Sequence, residues 1–144
     1  MTLEQLLNWL QLPVSAIDGR CARFRVDESV AIQLELTVDG EYLRIRSAVG
    51  HTLDIGPSKV AFDIAVSNYA GATTGGGSLG LNPVNGEVLL FLEAPCALMN
   101  AATLETVLGR FVEAALYWHS RLENPTQSAD TALSDVTPQA WVRA

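Results

Sequence analysis

Residues 78–94, SLGLNPVNGEVLLFLEA, decide how this chain reads. Asn85-Gly86 sits between two apolar runs, which predicts a β-hairpin with strands near Leu79–Asn82 and Glu87–Leu92. The second run, Val88-Leu89-Leu90-Phe91-Leu92, is apolar at every position, so both faces of that strand are expected to be covered. A break at Pro95–Met99 follows. A helix is then expected from about Asn100, its cap, to Leu122, with Leu104, Val107, Leu108, Phe111, Ala115, Trp118 and Leu122 as its apolar stripe.

Upstream, Pro57–Ala70 reads as another helix, with Ser58 as N-cap and Gly71 as the residue that ends it. Its Val60, Ala61, Phe62, Ile64, Ala65, Val66 and Tyr69 surround most of the helix, so more than one face needs a cover. A symmetry mate could supply the second cover. Before it come three alternating runs: Ala22–Val26, Val30–Val38 and Leu43–Ser47, with Asp39-Gly40 as a turn. Alternation of this kind marks a sheet with one buried and one wetter face. The first run is short and carries Arg23 and Arg25, as suits an edge strand. At the N-terminus, Thr2 and Gln5 fit a capping box, and Leu3, Leu6, Leu7 and Leu10 make one helical stripe that Pro13 stops. The order is α-β-β-β-α-β-β-α, an α+β fold with an antiparallel sheet and three helices. Residues 1–122 form the expected domain. From Glu123 to Ala144 the chain is rich in Pro, Ser, Thr, Asp and Ala, and reads as a flexible tail with one apolar spot, Trp141-Val142.

Composition narrows the function. At 144 residues the chain is most simply one domain, able to bury roughly 68% of its unfolded surface. It is 49% hydrophobic and only 17% charged, so an apolar surface is left over for a second copy or a bound peptide. The net charge is −7 with a single lysine, Lys59, which argues against nucleic acid and against anionic membrane surfaces. No apolar run approaches the roughly 20 residues of a membrane span, and residues 1–12 lack a basic n-region, so a cytoplasmic protein is expected. Cys21 and Cys96 read as reduced thiols packed as small hydrophobes.

Candidate chemistry is thin. Gly75-Gly76-Gly77 lacks the Lys-Ser/Thr ending of a phosphate loop and reads as a connector. His51 near Asp54 could orient a base, but no nucleophile stands at a strained turn beside it. His119 reads as a core-edge or surface residue. The two histidines and two cysteines show no close ligand spacing, so neither a metal nor any other cofactor is expected. Arg23, Arg25, Arg44 and Arg46 fall on one sheet face opposite Glu35, either as a solvated face with cross-strand ion pairs or as a basic surface for carboxylates of a peptide.

The pattern GGGSLGLNPVNGEVLLFLEAP followed by FVEAALYWHSRL, with a short N-terminal helix on a small acidic chain, resembles the Tir-chaperone family, the class I effector chaperones of bacterial type III secretion. The resemblance covers about Thr2–Leu122. It implies a homodimer that does no chemistry. Such a dimer holds the N-terminal chaperone-binding segment of one or more secreted effectors extended, soluble and ready for export. On this chain it implies effector contacts at Leu3, Leu6, Leu7 and Leu10 of the first helix and at Arg23, Phe24, Arg25 and Val26 of the first strand. It places the dimer contact at Val60, Ile64 and Tyr69 of the second helix and at Leu79, Leu81 and Leu90 of the hairpin. The secretion ATPase or sorting apparatus is a further candidate partner. The rival reading is a small dimeric hot-dog enzyme of the thioesterase kind, with His51 or an acidic residue as base.

Overall fold

The computed structural model describes residues 1–11, 15–16, 18–52 and 57–124. The elements are α1 (Leu3–Leu10), β1 (Ser15–Ala16), β2 (Cys21–Val26), β3 (Val30–Leu36), β4 (Tyr42–His51), α2 (Pro57–Ala70), β5 (Ser78–Leu81), β6 (Glu87–Pro95), a 3-10 turn (Cys96–Leu98) and α3 (Ala101–Glu123). The three helices and five longer strands follow the expected α+β order, and β1 is an addition of two residues. All neighbours pair antiparallel in the order β1-β2-β3-β4-β6-β5.

Local chemistry accounts for the boundaries. Thr2 and Gln5 form the capping box of α1, with bonds of 3.2 and 3.0 Å, and Gln11 ends the helix in the left-handed region at φ 49°. Pro13 lies outside the described residues. The cap of α2 is corrected: the helix begins at Pro57, a favoured first-turn position, so Ser58 lies inside it. Gly71, at φ 67°, closes α2 by donating its N–H to the Ser67 carbonyl at 2.8 Å. The Asn100 side chain caps α3 by accepting the Thr103 N–H at 2.9 Å.

The hairpin between β5 and β6 forms where expected. Asn82 donates its N–H to the Glu87 carbonyl, and Gly86 donates to the Asn82 carbonyl, each at 2.8 Å. Gly86 has φ 71°, and a Cβ there would stand 2.7 Å from the Thr52 hydroxyl. Only glycine lets the turn lie against the end of β4. In the β3–β4 turn, the Thr37 hydroxyl and the Glu41 N–H donate to Asp39 and hold its carboxyl below the usual carboxylate range. The turn therefore keeps these bonds as pH falls past the ordinary aspartate pKa, and loses them only when the depressed value is reached.

The core lies on one side of the sheet. Ile32, Leu34, Leu43, Ile45, Val49, Val88 and Leu90 project inward to meet Leu3 and Leu6 of α1 and Leu104, Leu108, Phe111, Ala115 and Trp118 of α3. The stripe predicted for α3 is buried except Val107, which is partly covered. In β6, expected to be covered on both faces, Val88 and Leu90 are buried within the chain, while Phe91 is 36% exposed and Leu89 half-buried, because no described element of the chain covers the outer face of the sheet.

Helix α2 runs beside the β5 edge of the sheet and is tied to α3 as well. Asp63 of α2 pairs with Arg121 of α3 at 3.2 Å, with both side chains mostly shielded. The Arg121 guanidinium also donates to the Tyr117 hydroxyl at 2.9 Å and lies over the Tyr117 and Trp118 rings at 5.9 and 5.6 Å. Arg121→Ala should lower stability by about 1–3 kcal/mol, more than an exposed pair would, because Asp63 would be left shielded and unpaired. Urea titration checks this; a change below about 0.5 kcal/mol would mean that Asp63 is fully hydrated in the variant.

Candidate functional site: two uncovered surfaces

The first surface comprises the uncovered side of α1 and the β1–β2 edge of the sheet, which follow one another in the chain. Leu3 and Leu6, expected at an effector groove, are buried in the core of the single chain, where α1 packs beside α3. Phe24, at 9% exposure, is likewise a core residue. Leu7 and Leu10 are half-buried, Trp9 is 38% exposed, and these are what α1 offers to a partner.

The strand expected to be the sheet edge is not fully an edge. Ser15 and Ala16 of β1 pair with Arg23 and Ala22 of β2. In addition, Asp18 ties Cys21, its carboxylate accepting the Cys21 N–H at 2.8 Å and its own N–H reaching the Cys21 carbonyl at 3.3 Å. Beyond that short bridge, Phe24–Val26 have no further strand partner among the described residues.

The outer face of the sheet carries all four arginines predicted to share it. Arg44 pairs with Glu93 at 2.8 Å and Arg46 with Glu35 at 2.5 Å, so the cross-strand ion pairs are present. Arg23 reaches only the Gln33 carboxamide, at 3.4 Å, and Arg25 donates to the Glu28 carbonyl at 3.0 Å. Arg44 and Arg46 thus have their charge matched within the chain. Arg23 and Arg25, at the β1 end, have only neutral partners among the described residues.

The second surface is the outer side of α2. Val60, Ile64, Leu79 and Leu90, expected at a dimer contact, are at most 7% exposed within this chain and pack inward on its core. Leu81 is partly buried against the same core. Of the residues expected at a dimer contact, Tyr69 is the outward one, at 76% exposure. Alongside it α2 presents Ala61, Phe62 and Ala65, with Phe62 69% exposed. These fall three and four residues apart, on one helical stripe. That spacing was readable in the sequence, but a helix apolar all round does not announce which stripe its own domain covers.

The remaining candidates resolve into structure. A Cβ at Gly75 would stand 2.4 Å from the Arg110 carbonyl oxygen, and one at Gly77 2.4 Å from that of Phe91. Gly75 and Gly77 therefore let the connector pack closely against α3 and β6. His119 has Nδ1 3.1 Å from the Val49 carbonyl and Nε2 3.3 Å from Glu123, a core-edge position. His51 is exposed, and Asp54 lies outside the described residues. Cys21 and Cys96 are free and buried, and burial pushes the Cys96 thiol up, away from a reactive thiolate. A shallow depression lined by Met1, Glu41, Tyr42, Pro95, Cys96 and Ala97 brings no acid–base pair together. Among the described residues no helix is long and apolar enough to cross a membrane.

Comparison with known proteins agrees with this arrangement. Residues 2–119 match the model of the Tir chaperone protein (CesT) family. The chain belongs to that family, the effector-binding chaperones of type III secretion, and is not an enzyme. Solved structures share the fold. The ExsC–ExsE complex superposes with a TM-score of 0.66 at 21% identity, over 83% of this chain and 90% of the other. The HopA1–SchA chaperone–effector complex gives 0.62 at 18%, over 82% and 90%. The heterodimeric ExoU–SpcU complex from the type III secretion system of Pseudomonas aeruginosa gives 0.58 at 18%, over 83% and 92%. No curated protein sequence matches the chain.

Proposed function

We propose that this chaperone works as a homodimer in the bacterial cytoplasm. It keeps the N-terminal chaperone-binding segment of one or more effectors extended on the surface formed by α1 and the β1 end of the sheet. The observation that carries the effector site is the succession, in elements consecutive along the chain, of half-covered apolar side chains on α1 (Leu7, Leu10, Trp9), a two-residue edge strand, and two arginines without carboxylate partners among the described residues. An extended peptide added there would bond the edge backbone, insert alternate side chains beside Leu7 and Leu10, and meet Arg23 and Arg25 with its carboxylates. Nothing in this needs ATP or a reacting group. The effector segment would be withdrawn from aggregation by having its backbone paired. Proteins of the same fold solved in complex with ExsE, HopA1 and ExoU support the reading by class.

Co-purification from the native cytoplasm should yield a stoichiometric effector. Leu7→Asn with Leu10→Asn should then weaken its binding at least tenfold, as truncating central apolar contacts at an interface costs more than about 1 kcal/mol each. The melting temperature should move little, since both side chains are already half in water. Full binding by this variant would place the effector elsewhere. Arg23→Gln with Arg25→Gln should weaken binding less, and should flatten its salt dependence.

The domain is proposed to end with α3. Asn124 donates its N–H to the Ser120 carbonyl at 3.1 Å and completes that helix. The tail expected from Glu123 onward lies, apart from Glu123 and Asn124, outside the described residues, as does its apolar spot, Trp141-Val142. Ending the chain after Asn124 should leave the melting temperature and effector binding unchanged. A fall of many degrees would show that residues beyond Asn124 belong to the packed domain.

A further inference from the structure

The two edges of the sheet are not equivalent, and the difference rests on one side chain. In the β5–β6 ladder, Asn82 and Glu87 form a hydrogen-bonded pair, so by alternation Gly80↔Leu89 and Ser78↔Phe91 are bonded pairs too. Leu79↔Leu90 and Leu81↔Val88 are then non-bonded pairs, and the N–H and C=O of Leu79 and of Leu81 point away from β6, toward the open side. That is where an added strand would bond.

At Leu79, the middle of the strand, both groups are already taken. The Asn68 carboxamide accepts the Leu79 N–H at 2.8 Å and donates to the Leu79 carbonyl at 2.9 Å. A primary amide has one acceptor and one donor side by side, so it matches an extended residue as a neighbouring strand would. Asn68 projects from α2, which lies along this edge. At the β1 end no equivalent side chain is found among the described residues. There a two-residue strand covers part of β2, and Phe24–Val26 lack a further strand partner among the described residues.

We infer that Asn68 is an edge-closing residue: its carboxamide occupies the strand-addition position of β5 and shuts this side of the sheet to a second copy's strand. For effector placement this leaves only the β1 end, a consequence that rests on the chaperone reading above; the closure itself does not. The alternatives for an edge, a proline or an inward charge, are absent from β5, whose sequence is SLGL. Helix cover plus one bidentate amide does that work instead.

The test uses the full chain without an effector, so its failure and a failure of effector binding are distinguishable. Asn68→Ala should speed hydrogen exchange at the Leu79 amide at least tenfold. It should also make the protein associate beyond its wild-type state as concentration rises, read by light scattering. Alanine is a better helix former than asparagine, and position 68 is solvent-exposed, so α2 should persist. Adding Ser78→Lys, a charge on the outer face of the opened edge, should reverse the association without restoring the slow exchange. Asn68→Asp, which keeps the acceptor for the Leu79 N–H but sets a second oxygen against the Leu79 carbonyl, should open the edge like the alanine. Unchanged exchange in Asn68→Ala would overturn the inference. So would unchanged association, association that Ser78→Lys does not reverse, or an Asn68→Asp variant that stays at its wild-type state.

Discussion

Trp118→Ala should destabilise the domain by about 3–5 kcal/mol, the range for emptying a large buried aromatic site. The side chain is 1% exposed, and its indole N–H donates to the Thr73 carbonyl at 3.1 Å. Alanine would leave a cavity beneath the loop after α2, and that carbonyl would lose its donor. Arg121 would lose the ring it lies over, loosening the Asp63 pair that joins α3 to α2. Against a total stability of roughly 5–15 kcal/mol, this is enough to bring the chain near unfolding at growth temperature. Chemical denaturation of Trp118→Ala beside Trp118→Phe separates the contributions. Phenylalanine keeps most of the apolar volume and loses the N–H, so it should cost about 1–3 kcal/mol. A loss under 1 kcal/mol for the alanine variant would mean that this end of α3 does not organise the core.

Phe62→Asp should convert the proposed homodimer to a monomer while leaving the chain folded. Phe62, Ala61, Ala65 and Tyr69 form an outward stripe on α2, and Phe62 at 69% exposure contributes little to this chain's own core. At a two-fold contact each substitution is duplicated. Two carboxylates would have to leave water against apolar surface, which costs several kcal/mol and weakens association by several orders of magnitude. Light scattering should fall from twice 15.5 kDa to a single chain mass, with a cooperative melt still present in the monomer. Ile64→Asp is the contrast. Ile64 is 7% exposed and packs inward, so a charge there should unfold the domain rather than merely divide it. A Phe62→Asp protein that remains dimeric would move the dimer contact to another face, with the exposed Phe91 and half-buried Leu89 of the outer sheet as the next surface to mutate.

The elements that were legible are those whose signals are local. The Asn85-Gly86 turn, the Thr2–Gln5 capping box, the Asn100 cap and Gly71 at the end of α2 each act through neighbours within a few residues, and each is present. The period-2 runs likewise placed the arginines on one face, because alternation leaves a strand residue no other choice. The family pattern in residues 75–122 was readable for the same reason: it is an order of local elements.

Which apolar residues are core and which are surface was not local. In α1 the leucine stripe gave four equivalent candidates. Packing beside α3 buries Leu3 and Leu6 and leaves Leu7 and Leu10 half covered. In α2 the all-round apolar surface gave no preferred direction, and docking beside β5 turned Val60 and Ile64 in and Phe62 and Tyr69 out. The roles of Asn68 and Asp63 had no sequence signal, since their partners, Leu79 and Arg121, lie 11 and 58 residues away. Periodicity along one chain segment specifies a stripe relative to its own axis. The rotation of that axis against the sheet, and the hydrogen bonds that follow from it, come only from the packing of elements distant in the chain.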